Sequence, residues 1–208
     1  MSETKEKILQ TSLMLFAKDG YEAVSVSQIA QELGITKGAL YRHYQSKRDI
    51  FEHILNRMRQ LDAEGAEAFE LPEGTLEEME ESYQAASIHN ILAYSEAQFR
   101  YWTEQPFPAA FRRMLSLEQY RSAEMSALYQ QYLSGGPVGY LSDLFASLLP
   151  KEQAAAAPQL ALELYGPLYI LYNIYDGAED KAAILPLVRQ HLQRFRDKWL
   201  ELTAEPQV

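Results

Sequence analysis

An all-α fold of about nine helices is what this 208-residue chain predicts: a three-helix N-terminal domain over residues 2–62, joined to a larger helical domain over 63–208. Three observations carry that reading. Apolar residues recur at helical spacing along nearly the whole chain, with no convincing run of strand-like alternation. Capping residues mark the starts and stops of the helices, with Ser and Thr at the starts and Gly and Pro at the ends. Hydrophobic residues make up 47% of the chain, enough for a sizeable core.

Each element follows from its residues. Ile8, Leu9, Leu13, Phe16 and Ala17 share one helical face, and Gly20 ends that helix because it tolerates the left-handed backbone of a C-terminal cap. Ser25 and Gln28 are spaced as a capping box for a second helix. Ile29, Ala30 and Leu33 face inward there, and Gly34 stops it. Thr36 is the N-cap of a third, short helix through Tyr44. Ser46 with Asp49 opens a fourth, whose inner face is Ile50, Ile54, Met58 and Leu61. The acidic stretch 62–75 is the best boundary. Thr75 and Glu78 cap a long helix with Ile88, Leu92, Phe99 and Trp102 in register, broken at Pro106 and Pro108. A helix then runs to about Leu133 and Gly135-Gly136-Pro137 forms the clearest turn. A helix over roughly 138–149 ends at Pro150, and two more, near 158–176 and 180–202, close the chain.

Composition narrows the function classes. There is no cysteine, which excludes disulfides and thiolate metal sites and fits a reducing cytoplasm. The N-terminus lacks the continuous apolar block of a signal peptide. The densest apolar run, Leu164–Tyr175, is shorter than the about 20 residues a bilayer span needs. The formal net charge of −10 is unevenly spread: residues 1–52 hold seven basic and seven acidic side chains, the remainder 12 and 22. From Gly34 to Arg48 stand Lys37, Arg42, Lys47, Arg48 and one histidine, with no acid. Such a patch attracts phosphates.

That patch coincides with a motif. Over residues 25–44 two short helices meet around Gly34, and small Ala30 lets them approach closely. Ile29, Leu33, Ile35 and Leu40 fill the wedge against the first helix. This is the build of a helix-turn-helix, whose second helix projects its N-terminal residues at base edges in a major groove. Thr36 and Lys37 stand at that N-terminus, Gly38 permits close approach, and Tyr41 and His43 lie within reach of backbone oxygens. Lys47, opening the fourth helix, is placed to grip a phosphate as a point charge.

The stretch from Lys7 to Leu55 resembles the DNA-binding domain of TetR-type (TetR/AcrR) transcriptional regulators. The matching pieces are Leu15-Phe16-Ala17 with Gly20-Tyr21, Ser25 with Ile29-Ala30, Leu33-Gly34-Ile35, Gly38 with Leu40-Tyr41, His43-Tyr44, and Ser46-Lys47 with Ile50-Phe51. Tyr44 departs from the phenylalanine common at that place. The resemblance implies DNA contacts at Ser25, Ser27, Gln28, Thr36, Lys37, Gly38, Tyr41, His43 and Lys47. It also implies a homodimer on a pseudo-palindromic double-stranded operator, and a divergent helical domain for ligand binding and dimerisation. The expected function is repression relieved by a small-molecule effector of unknown identity.

Gly166-Pro167-Leu168-Tyr169 is similar to a family segment in the penultimate helix, which implies a four-helix dimer bundle. The dimer residues expected are Leu164, Leu168 and Leu171 on that helix and Val188, Leu192, Phe195 and Trp199 on the last, two apolar stripes also visible in the spacing alone. For the effector pocket the candidates are Tyr94, Phe99, Trp102, Phe107, Phe111, Tyr129, Tyr165, Tyr169 and Tyr172, because tyrosine joins an apolar face to a hydrogen-bonding tip. For any one of these aromatics a place in the core is the commoner role, while some of the set are expected to line the pocket. The four histidines are too scattered for a metal site, and no phosphate loop or nucleophile motif is present, so neither a cofactor nor an enzyme is expected. Two other readings stay open: an effector-independent DNA-binding or partner-recruiting protein, and an enzyme with an appended DNA-binding head.

Overall fold

A computed structural model describes residues 3–68, 71, 72, 83 and 86–204. Its α-helices are α1 (Glu3–Asp19), α2 (Val26–Glu32), α3 (Lys37–Tyr41), α4 (Lys47–Glu67), α5 (Ile88–Glu104), α6 (Pro106–Glu118), α7 (Ala123–Leu133), α8 (Gly135–Leu148), α9 (Ala157–Gly177) and α10 (Ile184–Thr203). Short 3-10 segments cover Lys151–Ala156 and Lys181–Ala183, and there is no strand among the described residues. The fold is all-α, as the helical spacing predicts. The helices form two units: Met1–Asp62 with Glu104–Tyr129, and Ala63–Thr103 with Gln130–Val208.

In the first unit α1 buries Ile8, Leu9, Ser12, Leu13 and Phe16 on one face. Ser12 is tolerated there because its hydroxyl donates to the Ile8 carbonyl at 2.7 Å. The helix that covers α1 comes from far along the chain: α6, which buries Ala109, Ala110, Phe111, Met114 and Leu115. The sequence boundary at residue 62 leaves this segment with the second domain, whereas the fold adds it to the first unit. Pro106 occupies the first position of α6, where a missing N–H leaves no helical bond unmade. The helix expected to continue to Leu133 is two helices. Ser122 interrupts it, its hydroxyl accepting the Met125 N–H at 3.2 Å as the N-cap of α7.

In the second unit α5 follows Ser87, whose hydroxyl accepts the Asn90 N–H at 3.1 Å; the expected cap at Thr75 and Glu78 lies outside the described residues. Gly135-Gly136-Pro137 is the first turn of α8, and the break before it is Ser134 alone. A Cβ on Gly136 would stand 2.0 Å from the Gln131 carbonyl oxygen, so a glycine is what lets α8 join α7 so tightly. Helix α8 packs on α9 and α9 on α10. Phe145 of α8 meets Phe195 and Trp199 of α10 with ring centroids 5.6 and 5.1 Å apart, a cluster that contributes beyond its buried area.

Candidate nucleic-acid interface

The head is built from caps. Ser25 Oγ accepts the Gln28 N–H at 3.2 Å while Gln28 Oε1 accepts the Ser25 N–H at 2.7 Å, which starts α2 with a reciprocal capping box. Gly34, at φ +65°, ends it. Its N–H returns to the Gln31 carbonyl at 3.0 Å and that of Ile35 to Ala30 at 2.9 Å, the two bonds of a Schellman stop. The chain therefore turns within three residues. Thr36 Oγ1 then accepts the Ala39 N–H at 3.1 Å and opens α3. Ile29, Ala30 and Leu40 are buried in the wedge, with Leu33 and Ile35 half-buried at its rim.

This geometry leaves the expected contact residues outward. Ser25, Ser27, Gln28, Thr36, Lys37, Gly38 and Tyr41 are exposed, and His43 and Lys47 are half-buried. The Lys37 ammonium stands over the Tyr41 ring, 5.8 Å from its centroid, so the two side chains one turn apart form a joint cationic and aromatic surface. Helix α3 ends at Tyr41, three residues short of the sequence expectation. The His43 and Tyr44 N–H groups both fall back on the Leu40 carbonyl, at 2.9 and 3.2 Å. Tyr44 is pulled from the helix into the core, where its hydroxyl donates to the Lys5 carbonyl at 3.0 Å. Burial, and beyond it the Glu6 and Asp49 carboxylates, push that phenol far above its usual range, so it stays a neutral donor.

The four cations of the acid-free stretch are not equivalent. Lys47 Nζ donates to the Tyr21 carbonyl at 2.8 Å and the Glu22 carbonyl at 3.3 Å, and lies 4.4 Å from the Tyr21 ring centroid. Arg48 is engaged by Glu52 at 2.9 Å and, in a bidentate pair, by both carboxylate oxygens of Glu124 at 2.7 Å. The hydrogen bond from Arg48 holds the Glu124 carboxyl below its usual range. Glu124 is 76 residues from Arg48, and no local pattern could announce it.

The other expected sites divide. Phe107, Phe111 and Tyr129 belong to the first unit, the remaining six pocket candidates to the second. Within the second, Phe99 stacks on Tyr172 at 5.3 Å and Tyr165 neighbours Tyr169 at 6.3 Å. Phe99, Trp102 and Tyr172 are buried, whereas Tyr94, Tyr165 and Tyr169 are half-buried, and the Tyr94 hydroxyl accepts from Gln98 Nε2 at 2.6 Å. The Tyr165 hydroxyl donates to the Leu133 carbonyl at 3.0 Å. The dimer candidates Leu164, Leu168, Leu171, Val188, Leu192, Phe195 and Trp199 are all buried within the single chain. The apolar side chains that α9 and α10 leave outside are Leu162, Ile170, Ile174, Leu187 and Leu200. Among the described residues no group of three or more metal-ligating side chains occurs, and no helix is long and apolar enough to cross a membrane.

Residues 8–54 match the family described as bacterial regulatory proteins, tetR family. Over 47 residues the chain is 53% identical to the uncharacterized HTH-type transcriptional regulator YerO of Bacillus subtilis, covering 23% of this chain and 16% of that protein. Over 83 residues it is 35% identical to the HTH-type transcriptional regulator AcrR of Shigella flexneri, covering 40% and 32%. The matches thus span a third or less of those relatives' own length. A solved structure of the fatty acid degradation regulator FadR from Bacillus halodurans shares the fold over 94% of this chain and 95% of its own, with a TM-score of 0.57 at 16% identity.

Proposed function

From a chain whose N-terminal domain belongs to the tetR family of bacterial regulatory proteins, we propose that the protein is a DNA-binding transcriptional regulator that represses by occupying an operator and leaves it when a small-molecule effector binds. The observation that carries the reading is the exposed face of α3. Its Thr36 cap, Lys37, Gly38 and Tyr41 project outward from a surface with no acid between Gly34 and Arg48. Thr36 and Lys37 reach base edges, while Ser25, Ser27, Gln28, Tyr41, His43 and Lys47 hold the phosphate backbone. The working form is a homodimer acting in the cytoplasm, its partner copy packed against the outward stripe of α9 at Leu162, Ile170 and Ile174 and against Leu187 of α10. The effector site is assigned to the second unit, where half-buried Tyr94, Tyr165 and Tyr169 offer ring faces. An effector acts only through its difference in affinity for the two arrangements of the DNA-reading heads.

Selection of bound sites from random duplexes tests the reading. The expected product is a pseudo-palindrome with half-sites about 34–36 Å apart, one helical turn or a multiple of it. Recovery of no preferred sequence, or of unpaired half-sites, would count against it.

A further inference from the structure

We propose that Glu118, the last residue of α6, is a positioning residue for the DNA contact at Lys47, acting through the Tyr21 backbone; this rests on the reading of the first unit as a DNA-binding head. Glu118 is 1% exposed. Its Oε1 accepts the Tyr21 N–H at 3.1 Å, and its Oε2 has no hydrogen-bond partner among the described residues. Arg121, on the surface, forms a long ion pair with Oε1 at 3.8 Å, beyond hydrogen-bond length. A carboxylate buried with so little compensation is an expensive way to fill space, and an apolar side chain would pack there at lower cost. What the carboxylate supplies is a fixed location for one peptide. The chain bends to meet it: Gly20, at φ +87°, passes so close that a Cβ would lie 2.6 Å from Oε1.

The next peptide, across the Tyr21 Cα, holds Lys47. The Tyr21 carbonyl accepts from Lys47 Nζ at 2.8 Å, and the Glu22 carbonyl adds a second bond at 3.3 Å. The Tyr21 ring is fixed between Phe16 and Phe51, at centroid distances of 5.1 and 4.9 Å, with the ammonium over its face. An ammonium has three donors. Two are directed at these carbonyls, so the direction of the third, free for a phosphate, is set by the Tyr21–Glu22 turn. Releasing Tyr21 from Glu118 lets the turn drift and lets Lys47 lose its aim, although neither Lys47 nor any groove-facing residue has changed. The pair Arg48–Glu124 ties the start of α4 to α7 in the same unit, so the corner between α6 and α7 holds the head at two points.

The test is a set of titrations of the selected duplex over a salt series with the parent, E118A, E118Q, K47A and the E118A/K47A double variant. E118A is expected to bind about tenfold more weakly, with a salt slope smaller by about one per protomer, as in K47A. E118Q keeps an acceptor for the Tyr21 N–H and is expected to stay within about twofold of the parent. The double variant is expected to bind no more weakly than K47A alone, the non-additivity of two groups acting through one contact. An unchanged slope in E118A, an E118Q as weak as E118A, or losses that multiply in the double variant would overturn the proposal. Should E118A fail to fold by circular dichroism, E118D carries the same expectation, since its shorter carboxylate keeps the charge and cannot reach the Tyr21 N–H. A parent that binds no duplex at low salt overturns the DNA-binding reading itself, a separate outcome.

Discussion

Gly20 and Gly34 both hold left-handed backbone, at φ +87° and +65°, yet a side chain would cost them differently. Beyond its chain neighbours, no heavy atom lies within 4 Å of a Cβ added at Gly34, so Gly34→Ala carries only the conformational cost, about 1–2 kcal/mol. At Gly20 the added carbon meets Glu118 Oε1 as well, and displacing that buried carboxylate raises the loss to about 2–4 kcal/mol. Urea denaturation of the two variants is expected to rank them in that order; equal midpoints would mean that Glu118 moves aside freely. The two groove-side lysines separate by specificity. Lys37 stands at the start of α3 with its ammonium over Tyr41, so Lys37→Ala is expected to relax preference at one operator position by about 1–3 kcal/mol. Lys47→Ala is expected to weaken binding to every sequence alike, which competition with mixed-sequence duplex measures.

At the scale of elements, α9 offers two faces that respond to the same substitution in opposite ways. Leu168 is 3% exposed and Ile170 58%. Leu168→Glu buries a charge and is expected to unfold the second unit. Ile170→Glu is expected to leave the fold intact and yield monomers by sedimentation, because it charges the stripe assigned to the partner copy. The sequence spacing predicts an apolar stripe on α9 at Leu164, Leu168 and Leu171 without saying whether α8 and α10 of the same chain or a second copy covers it; the structure buries all three within the chain. The same limit governs the head. The caps at Ser25, Gly34 and Thr36 are local chemistry, and spacing of three or four residues reveals them. The partners of α1 and Arg48 lie on α6 and α7, the latter 76 residues from Arg48, where no periodicity reaches. Tyr44 ends α3 early for a similar reason, its hydroxyl being claimed by Lys5. The Arg48–Glu124 pair carries a pH signature. The Arg48 hydrogen bond depresses the Glu124 carboxyl, so its contribution is full at neutral pH and is lost as pH falls below the ordinary value of 4.5 toward the depressed one. Both side chains are about half exposed, which limits the pair to about 0.5 kcal/mol. Glu124→Gln is expected to remove that increment at neutral pH and to converge with the parent in acid.

For the whole molecule, the division into two units sharpens the charge argument. The first unit carries 12 basic and 11 acidic residues, the second 7 and 18, so all the net negative charge belongs to the second. DNA affinity must then come from a few placed cations on a nearly neutral unit and not from bulk attraction, which makes the count of those cations measurable. Arg48 is matched by Glu52 and Glu124, leaving Lys37, Arg42 and Lys47 on the acid-free stretch, the last with one donor still to give. With Lys37 directed at a base edge, Arg42 and Lys47 of a homodimer would engage four phosphates, and log affinity is expected to fall against log salt with a slope of about −4. Were Arg48 to leave its carboxylates and join the contact, the count would rise to six and the slope to about −5. The same titration on Glu124→Gln discriminates further. If Glu124 keeps Arg48 off the duplex, freeing it steepens the slope of the variant toward the higher value; if the pair is only a structural tie, parent and variant share one slope and differ only in stability.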